Sequence, residues 1–337
     1  MSEPAKISAI MPVYNGRAFL GRSLPPLIDM QRRGEILEVI VVDDGSTDDT
    51  AAIAAAMGAR VMPSGGRLGP GGARNEAAGG ARGGILWFVD ADVVVHDDAA
   101  RELRRAFADP GMTAVFGSYD DQPPARNFLS QYKNLVHHFY HHRGRSEAET
   151  FWAGCGAVRK DAFLAVGGFD VARYTRPSIE DIELGYRLRG AGGRILLWPA
   201  LQGTHLKVWR FVNLIHTEIF CRAIPWSRLM LSRTGLVNDL NVGTAERLRA
   251  AAACVFFAGC VASLHPAVPG WIAGSLLGAI ALANAGLLRL FYRRNGLLFA
   301  VAGLLFHQVY YLYSSAAFVW CWLEYRVIDR FVSRKPG

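Results

Sequence analysis

The chain has few cysteines, and it lacks the spacings that would make them structural. Its 337 residues contain five cysteines, an odd number, and no Cys-x-x-Cys pair. We therefore predict neither a disulfide framework nor a zinc site, and a reducing cytoplasmic setting fits this composition. The N-terminus is polar and runs straight into a strand-like segment. It lacks the basic-then-apolar pattern of a secretory signal.

The basic residues lack the pattern of a nucleic-acid binder. The formal net charge is +8, but the arginines are scattered and are not interleaved with aromatic side chains. We therefore expect no nucleic-acid partner. A basic balance of this kind fits phosphate-bearing substrates or an anionic membrane surface instead.

Long apolar runs are absent up to about residue 199. Short β-branched or aromatic runs alternate there with helical stretches, which is typical of a parallel sheet covered on both faces. We predict an α/β domain over residues 1–205 with a mostly parallel sheet. The predicted strands are Ile7–Val13, Leu37–Val42, Ile85–Val89 and Met112–Gly117, and the predicted helices are Ala18–Met30, Thr47–Met57, Gly72–Ala81 and Asp97–Ala108.

The hydropathy changes at about residue 249. Two runs beyond it are long enough to cross a bilayer, and their one internal charge, Arg289, lies near an end. Buried core helices are the alternative, and the basic segments leave the number and orientation of spans open. We predict two to three transmembrane helices over 249–325, from Ala250–Leu264, Val268–Phe291 and Leu297–Leu323, and a basic tail over 326–337.

Residues 206–248 separate the two parts. Within them, Lys207–Arg233 mixes tryptophan and aliphatic side chains with four arginines. Basic residues together with tryptophan on an amphipathic helix favour a segment that lies on a membrane surface. An ordinary helix packed on the first domain is the alternative.

Acidic residues follow the second predicted strand. Asp43 and Asp44 are followed by Gly45, which permits a tight turn, and by Ser46 or Thr47, which can cap the next helix. Ligands of open α/β sheets bind beyond the carboxyl ends of the strands. These carboxylates could therefore accept hydrogen bonds from a base or a ribose, although Asp-Asp-Gly is also a common turn.

A second acidic pair follows the strand Ile85–Val89. Asp90 and Asp92 are two residues apart, so a strand-like backbone would project both carboxylates to one side. Two such acids beside a buried strand repel each other, and a cation relieves the repulsion. Oxygen ligands suit Mn²⁺ or Mg²⁺, which also bind phosphate oxygens. A solvated loop start is the alternative.

Together with the polar end of the first strand, these motifs form a joint pattern. The chain resembles a membrane-anchored, inverting family 2 glycosyltransferase of the GT-A fold. The resemblance covers roughly residues 7–207. It is carried by Met11-Pro12-Val13-Tyr14-Asn15-Gly16, Val42-Asp43-Asp44-Gly45-Ser46-Thr47-Asp48, Gly72-Ala73-Arg74-Asn75, Val89-Asp90-Ala91-Asp92, Val166-Gly167-Gly168-Phe169-Asp170 and Ile179-Glu180-Asp181-Ile182-Glu183-Leu184.

The resemblance implies a role for each matching residue. Asp44 would bind the base, Arg74 would lie near the base or the phosphates, and Asp90 would face the ribose or the sugar. Asp92 would ligate the metal, with Asp90 beside it. His205 would be a further metal ligand. The implied nucleotide-binding set is Pro12, Val13, Tyr14, Asn15, Asp43, Asp44, Arg74, Asp90 and Lys207, of which Lys207 would meet the diphosphate.

Asp181 would be the catalytic base, with Glu180 as the alternative. An inverting transfer needs a carboxylate opposite the leaving diphosphate to take the acceptor proton. The acids also suit the first turn of a helix capped by Ser178, and both roles are compatible.

Two further segments lie outside this acidic pattern. Trp152, Gly154 and Cys155 resemble the acceptor-side loop of the family, where small residues let an acceptor approach. Cys155 is not expected to be a nucleophile. The histidines 137, 138, 141 and 142 are spaced for a metal on a helix, but a polar helix near the active site or the membrane is favoured.

The resemblance implies transfer of a sugar from a UDP- or GDP-linked donor to a membrane lipid or lipid-linked acceptor. We expect an inner or other membrane, with the catalytic domain in the cytoplasm. One alternative is a processive polysaccharide synthase, whose Gln-x-x-Arg-Trp motif the chain lacks. Others are a nucleotidyltransferase, whose glycine-rich signature would come earlier than Gly65–Gly72, and a catalytically silent scaffold.

Overall fold

A computed structural model describes residues 6–144, 146–234 and 239–332, and of 233, 234 and 328–332 it describes the backbone alone. The chain divides into two units. Unit 1 comprises Met1–Ser130 and Tyr140–Val208, and unit 2 comprises Gln131–Phe139 and Trp209–Gly337. The predicted domain bounds remain a prediction.

Unit 1 is built on a nine-stranded sheet with the order β3-β2-β1-β4-β8-β6-β9-β5, and β7 pairs with β9. The strands are β1 (Ile7–Val13), β2 (Glu38–Asp43), β3 (Arg60–Pro63), β4 (Ile85–Val89), β5 (Val93–Val95), β6 (Met112–Tyr119), β7 (Glu147–Ala148), β8 (Cys155–Arg159) and β9 (Arg194–His205). The helices of unit 1 are α1 (Arg17–Arg32), α2 (Thr50–Ala56), α3 (Gly69–Gly80), α4 (Ala99–Ala106), α6 (Lys160–Ala165) and α7 (Glu180–Gly190). Helix α5 (Phe128–Arg143) is divided between the units, because Gln131–Phe139 belongs to unit 2.

The sheet is mixed rather than mostly parallel. The pairs β1–β2, β1–β4, β2–β3 and β6–β9 are parallel. Strand β8 runs antiparallel to β4 and to β6, and β5 and β7 run antiparallel to β9. The parallel prediction holds for the strands that the sequence pattern identified, and the antiparallel strands come from segments without a clear pattern.

Helices cover both faces of this sheet, as predicted. Every residue of β1 and of β4 is buried. Trp87 of β4 packs in one core cluster with Leu24 of α1 and Leu103 of α4. The next residue, Phe88, points to the opposite face and contacts Phe163 of α6. Strands buried on both faces explain the continuous apolar runs in the sequence.

Unit 2 is helical. One prediction there is wrong: Val268–Phe291 is not a single helix, because Asn284 ends one helix and a second begins at the next residue. The elements after β9 are α8 (Phe211–His216), a π-helical segment (Thr217–Ala223), α9 (Ile224–Leu229), a second π-helical segment (Met230–Thr234), a 3₁₀ turn (Leu240–Val242), α10 (Thr244–Ala262), α11 (Trp271–Ala283) and α12 (Ala285–Val332).

Among the described residues, one helical stretch, Ala285–Val327, is long and apolar enough to cross a membrane by length and composition. It is kinked at Gly296, whose φ of 80° lies in the left-handed region that favours glycine. Helix α11 has 13 residues, which is fewer than the about 20 that a span requires.

Candidate active site

The ends of β4 and β9 meet next to β5. The Asp90 N–H donates to the Gly154 carbonyl over 3.1 Å, and the Leu206 N–H donates to the Asp92 carbonyl over 2.8 Å. Asp92 comes directly before β5, and in the β5–β9 pair Val93 lies opposite His205. This pairing brings Asp92 Oδ2 within 3.5 Å of His205 Nε2.

Arg74 of α3 is buried and forms an ion pair with Asp90. The Arg74 side chain is 4% exposed, and its guanidinium lies 2.5 Å from the Asp90 carboxylate. The Arg74 Cζ lies 5.5 Å from the centroid of the Phe169 ring and 5.9 Å from the centroid of the Phe88 ring. Arg74 is therefore the counter-charge of a site carboxylate, and its place near the base or phosphates stays a prediction.

Three carboxylates influence each other at this point. Burial raises the pKa of Asp90, the charges of Asp92 and Asp181 raise it further, and Arg74 opposes the shift. For Asp92, burial alone would raise the pKa, but the hydrogen bond and charge of His205 hold it below its ordinary value. The structure thus brings three predicted acids, two from the segment between β4 and β5 and one from α7, into one electrostatic site.

Asp181 lies in the first turn of α7 and touches the acceptor-side loop. Its Oδ2 accepts the Ala153 N–H over 3.1 Å, and its Oδ1 accepts the Ile182 N–H over 2.9 Å. Glu180 is 8% exposed, and it accepts the Ser178 N–H over 2.7 Å. Burial, followed by the charge of Asp181, raises the pKa of Glu180.

The loop Trp152–Gly154 connects Asp90 to Asp181. Its Gly154 carbonyl accepts the Asp90 N–H, and its Ala153 N–H donates to the Asp181 carboxylate. A Cβ at Gly154 would lie 2.5 Å from the Trp152 ring, so only glycine permits this turn of the loop. Cys155 is 0% exposed in the core, and burial raises its pKa to about 12. Cys155 is therefore not poised as a nucleophile, and its place on the acceptor side stays a prediction.

Asn15 and Asp43 brace the turns after β1 and β2. Asn15 has a φ of 49°, its N–H donates to Ser46 Oγ over 2.9 Å and its Oδ1 accepts the Thr47 N–H over 2.8 Å. Asp43 Oδ1 accepts the Ser46 N–H over 3.1 Å. Both predicted nucleotide-binding residues therefore shape the turns.

Asp44 organises the loop before α3. It is 4% exposed, and its carboxylate accepts hydrogen bonds from Ser64 Oγ, Leu68 N–H and Gly69 N–H, each over 2.8 Å. The structure thus places loop donors on the carboxylate predicted to bind the base. Sequence reasoning missed this contact because nothing in the spacing links the two segments.

The predicted base pocket also differs in detail. Val13 is 3% exposed within the core cluster, and Pro12 is buried. Tyr14 is 39% exposed. The Arg67 guanidinium covers its ring, with the Cζ 3.9 Å from the ring centroid. Tyr14 is therefore the accessible member of this predicted trio, and Arg67 is a neighbour that the sequence did not identify.

The donor atoms fit a hard divalent metal ion that keeps open positions. Asp92 and His205 offer a carboxylate oxygen and an imidazole nitrogen side by side, and Lys207 lies near enough for its charge to lower the pKa of Asp92. Among the described side chains, no three of His, Cys, Asp or Glu are grouped to hold a metal. Asp90 is paired with Arg74, and its role as a metal ligand stays a prediction.

Two of the four α5 histidines, His141 and His142, contact unit 1 side chains and backbone at the C-terminal end of the helix. His141 is 6% exposed, its Nδ1 lies 2.8 Å from the Gly117 carbonyl, and its ring meets the Trp152 ring edge to face at 5.3 Å. His142 lies within hydrogen-bond distance of Ser118 and Gln202. Within the described side chains these histidines form no metal group.

Comparison with known proteins gives the family of the first segment. Residues 8–167 match the profile of glycosyl transferase family 2. An uncharacterized protein of Mycobacterium tuberculosis is 39% identical over 118 residues, which is 34% of this chain and 36% of the relative. Glycosyltransferase AglD of Haloferax volcanii is 27% identical over 215 residues, 58% of this chain and 32% of that protein. The chain thus spans about a third of the length of these relatives.

A solved structure shows the same fold. The mannosyltransferase PcManGT from Pyrobaculum calidifontis, in complex with GDP-Man and Mn²⁺, superposes with a TM-score of 0.51 at 19% identity, covering 95% of this chain and 88% of that one. The likeness confirms the predicted GT-A fold. Residues 8–167 of the chain belong to glycosyl transferase family 2.

Proposed function

We propose that the chain is an inverting glycosyltransferase that moves a sugar from a nucleotide diphosphate donor to an acceptor hydroxyl. The observation that carries the proposal is the meeting of Asp90, Asp92 and Asp181 with Arg74 and His205 in one electrostatic site. Three acids from two segments are otherwise costly to bring together, so their meeting favours a cationic and phosphate-bearing ligand.

Asp181 is the proposed base. The acceptor hydroxyl loses its proton to the Asp181 carboxylate as its oxygen bonds to the anomeric carbon. The bond from that carbon to the diphosphate oxygen breaks, and the nucleoside diphosphate leaves. Hydrogen bonds from Ala153 and Ile182 hold both carboxylate oxygens in place, and such a fixed orientation favours proton transfer.

Asp92 and His205 are the proposed holders of Mn²⁺ or Mg²⁺. A bound divalent ion neutralises charge on the leaving diphosphate. The PcManGT structure contains Mn²⁺ together with GDP-Man, which supports the same pairing of metal and nucleotide sugar here. We propose a UDP- or GDP-linked donor, with Tyr14 along the base and Lys207 toward the diphosphate.

We also propose that unit 2 anchors the protein in a membrane. Helix α12 turns apolar residues outward: Leu298 is 85% exposed and Leu297 is 67% exposed, whereas His307, Gln308 and Tyr311 are at most 2% exposed. A helix in water has the opposite polarity. Inward polar groups and outward aliphatic groups suit lipid surroundings.

The segment before α10 supports the same placement. Phe211, Val212 and Phe220 are 61%, 79% and 59% exposed, and Arg210 is exposed beside them. Aliphatic and aromatic side chains next to a cation fit the surface of an anionic bilayer. We therefore propose a lipid or lipid-linked acceptor, with the catalytic domain on the cytoplasmic side.

A donor screen tests the activity. Membranes that contain the protein are incubated with UDP- and GDP-sugars and Mn²⁺ or Mg²⁺, and the released nucleotide is identified. Release of nucleoside diphosphate that requires Asp181 supports glycosyl transfer. Release of pyrophosphate would instead indicate a nucleotidyltransferase.

Extraction tests the anchoring. The full-length chain should leave membranes only with detergent, not with high salt or carbonate. Release by high salt alone would mean that electrostatic attachment, rather than insertion of α12, holds the protein.

A further inference from the structure

The His205 imidazole is covered by an aromatic ring from another strand. Tyr119 is the last residue of β6, and its ring centroid lies 4.2 Å from that of His205 with an interplanar angle of 7°. Both residues are buried, with 9% and 7% exposure. Two flat rings this close and this parallel leave the imidazole little freedom to rotate.

The backbone explains how Tyr119 reaches His205. In the parallel β6–β9 pair, Tyr119 lies opposite Gly203. Side chains two residues apart on a strand share a side, so His205 is the next residue along that side. The Tyr119 ring therefore reaches along β9 onto the imidazole.

The Tyr119 ring also packs against Trp152, which belongs to a chain of aromatic contacts. Trp152 meets it edge to face at 4.8 Å, and Trp152 in turn meets His141 at 5.3 Å. His141 is tied to the Gly117 carbonyl of β6. The contact with Trp152 therefore limits the room in which the Tyr119 ring could move away from the imidazole.

We propose that Tyr119 is a positioning residue that fixes the His205 imidazole with Nε2 toward Asp92. The inference rests on the proposed role of that pair in metal binding. The two ligand atoms lie 3.5 Å apart, so one ion can bridge them only while the ring keeps its orientation. Groups that orient metal ligands typically change metal affinity by about 10- to 100-fold.

The test compares Tyr119→Phe, which keeps the stacked ring, with Tyr119→Leu, which removes it. The control, Phe107→Leu, changes another aromatic residue of the same core cluster. Mn²⁺ alone is titrated into the full-length protein, and free Mn²⁺ is measured by electron paramagnetic resonance. We expect about 10- to 100-fold weaker binding for Tyr119→Leu, and wild-type affinity for the other two variants.

Two results would overturn the proposal. One is wild-type Mn²⁺ affinity in Tyr119→Leu, and the other is equal weakening in Tyr119→Phe, which would implicate the hydroxyl rather than the stacked ring. If Tyr119→Leu does not fold, as judged by thermal unfolding, Tyr119→Met replaces it, because methionine fills irregular space.

A metal-free readout separates this inference from the proposed function. A stacked ring shifts the His205 imidazole proton resonances upfield, and His205→Gln identifies them in the spectrum. The upfield shift should persist in Tyr119→Phe and vanish in Tyr119→Leu, and its survival in Tyr119→Leu would refute the stacking. If wild-type protein binds no Mn²⁺ while the shift behaves as expected, the metal proposal fails and the placement of Tyr119 stands.

Discussion

Replacing Asp181 by asparagine removes the proposed base while nearly preserving the shape of the side chain. General-base catalysis is typically worth about 10²- to 10⁴-fold in rate, which corresponds to about 2.7–5.4 kcal/mol of transition-state stabilisation. We therefore expect the kcat of Asp181→Asn to fall by about 10²- to 10⁴-fold. Affinity for the nucleoside diphosphate product should stay unchanged, since the proposed task of Asp181 is to take the acceptor proton rather than to bind the donor.

The structure adds a stability effect to this prediction. Both carboxylate oxygens of Asp181 accept backbone N–H groups, but an asparagine amide has a single oxygen. One N–H, of Ala153 or of Ile182, must lose its acceptor, which costs about 1–3 kcal/mol where the group is buried. We expect a lower unfolding temperature alongside the loss of rate.

The assay measures nucleoside diphosphate release under saturating donor, with product affinity measured separately by calorimetry. Asp170→Asn is the matched control, because Asp170 also accepts a backbone N–H, from Arg173 over 3.0 Å, but takes no part in the proposed transfer. Glu180→Gln tests the alternative base. If Asp181→Asn keeps more than about one tenth of the wild-type kcat, a loss below about 1.4 kcal/mol, then Asp181 is not the base.

Three further predictions concern single side chains. Asp92→Ala should weaken Mn²⁺-dependent nucleotide binding, and calorimetry that finds unchanged affinity would contradict the role of Asp92. Arg74→Met should destabilise the protein by up to about 3–5 kcal/mol, less in proportion to the partial exposure of Asp90, whereas Asp90→Asn in the same background should recover part of the loss. Burial alone would raise the pKa of Glu38, but hydrogen bonds from Arg82 and Ser8 together hold the pKa below its ordinary value. Its stabilisation is therefore present above pH about 4.5 and lost as pH falls through the folded-state pKa, so Glu38→Gln should flatten the acid side of the stability profile.

The acidic motifs at strand ends were predictable because they depend on local rules. Apolar runs locate β1 and β4 with their observed bounds, and residues that follow strand ends in an open sheet gather at one edge. Asp90 and Asp92 could therefore be placed beside each other without coordinates. The joint motif then suggested that Asp181 would join them.

Contacts between distant segments were not predictable. The stack of Tyr119 on His205 depends on the β6–β9 pairing. No periodicity in the sequence reports which strands pair. The break at Asn284 was missed for a related reason, since hydropathy averages over a window and does not detect a local change of backbone angle.

Asp44 connects the loop before α3 to helix α3 itself. Its carboxylate accepts hydrogen bonds both from the loop that contains Arg67 and from the first residue of α3. Arg67 lies over the Tyr14 ring, and α3 also carries Arg74, which neutralises Asp90. Under the proposed function, substitutions at residues 64–69 that alter the nucleotide site should also displace α3 and the ion pair of Arg74 with Asp90. A change of donor preference should then require compensating substitutions along α3 as well as new contacts to the base.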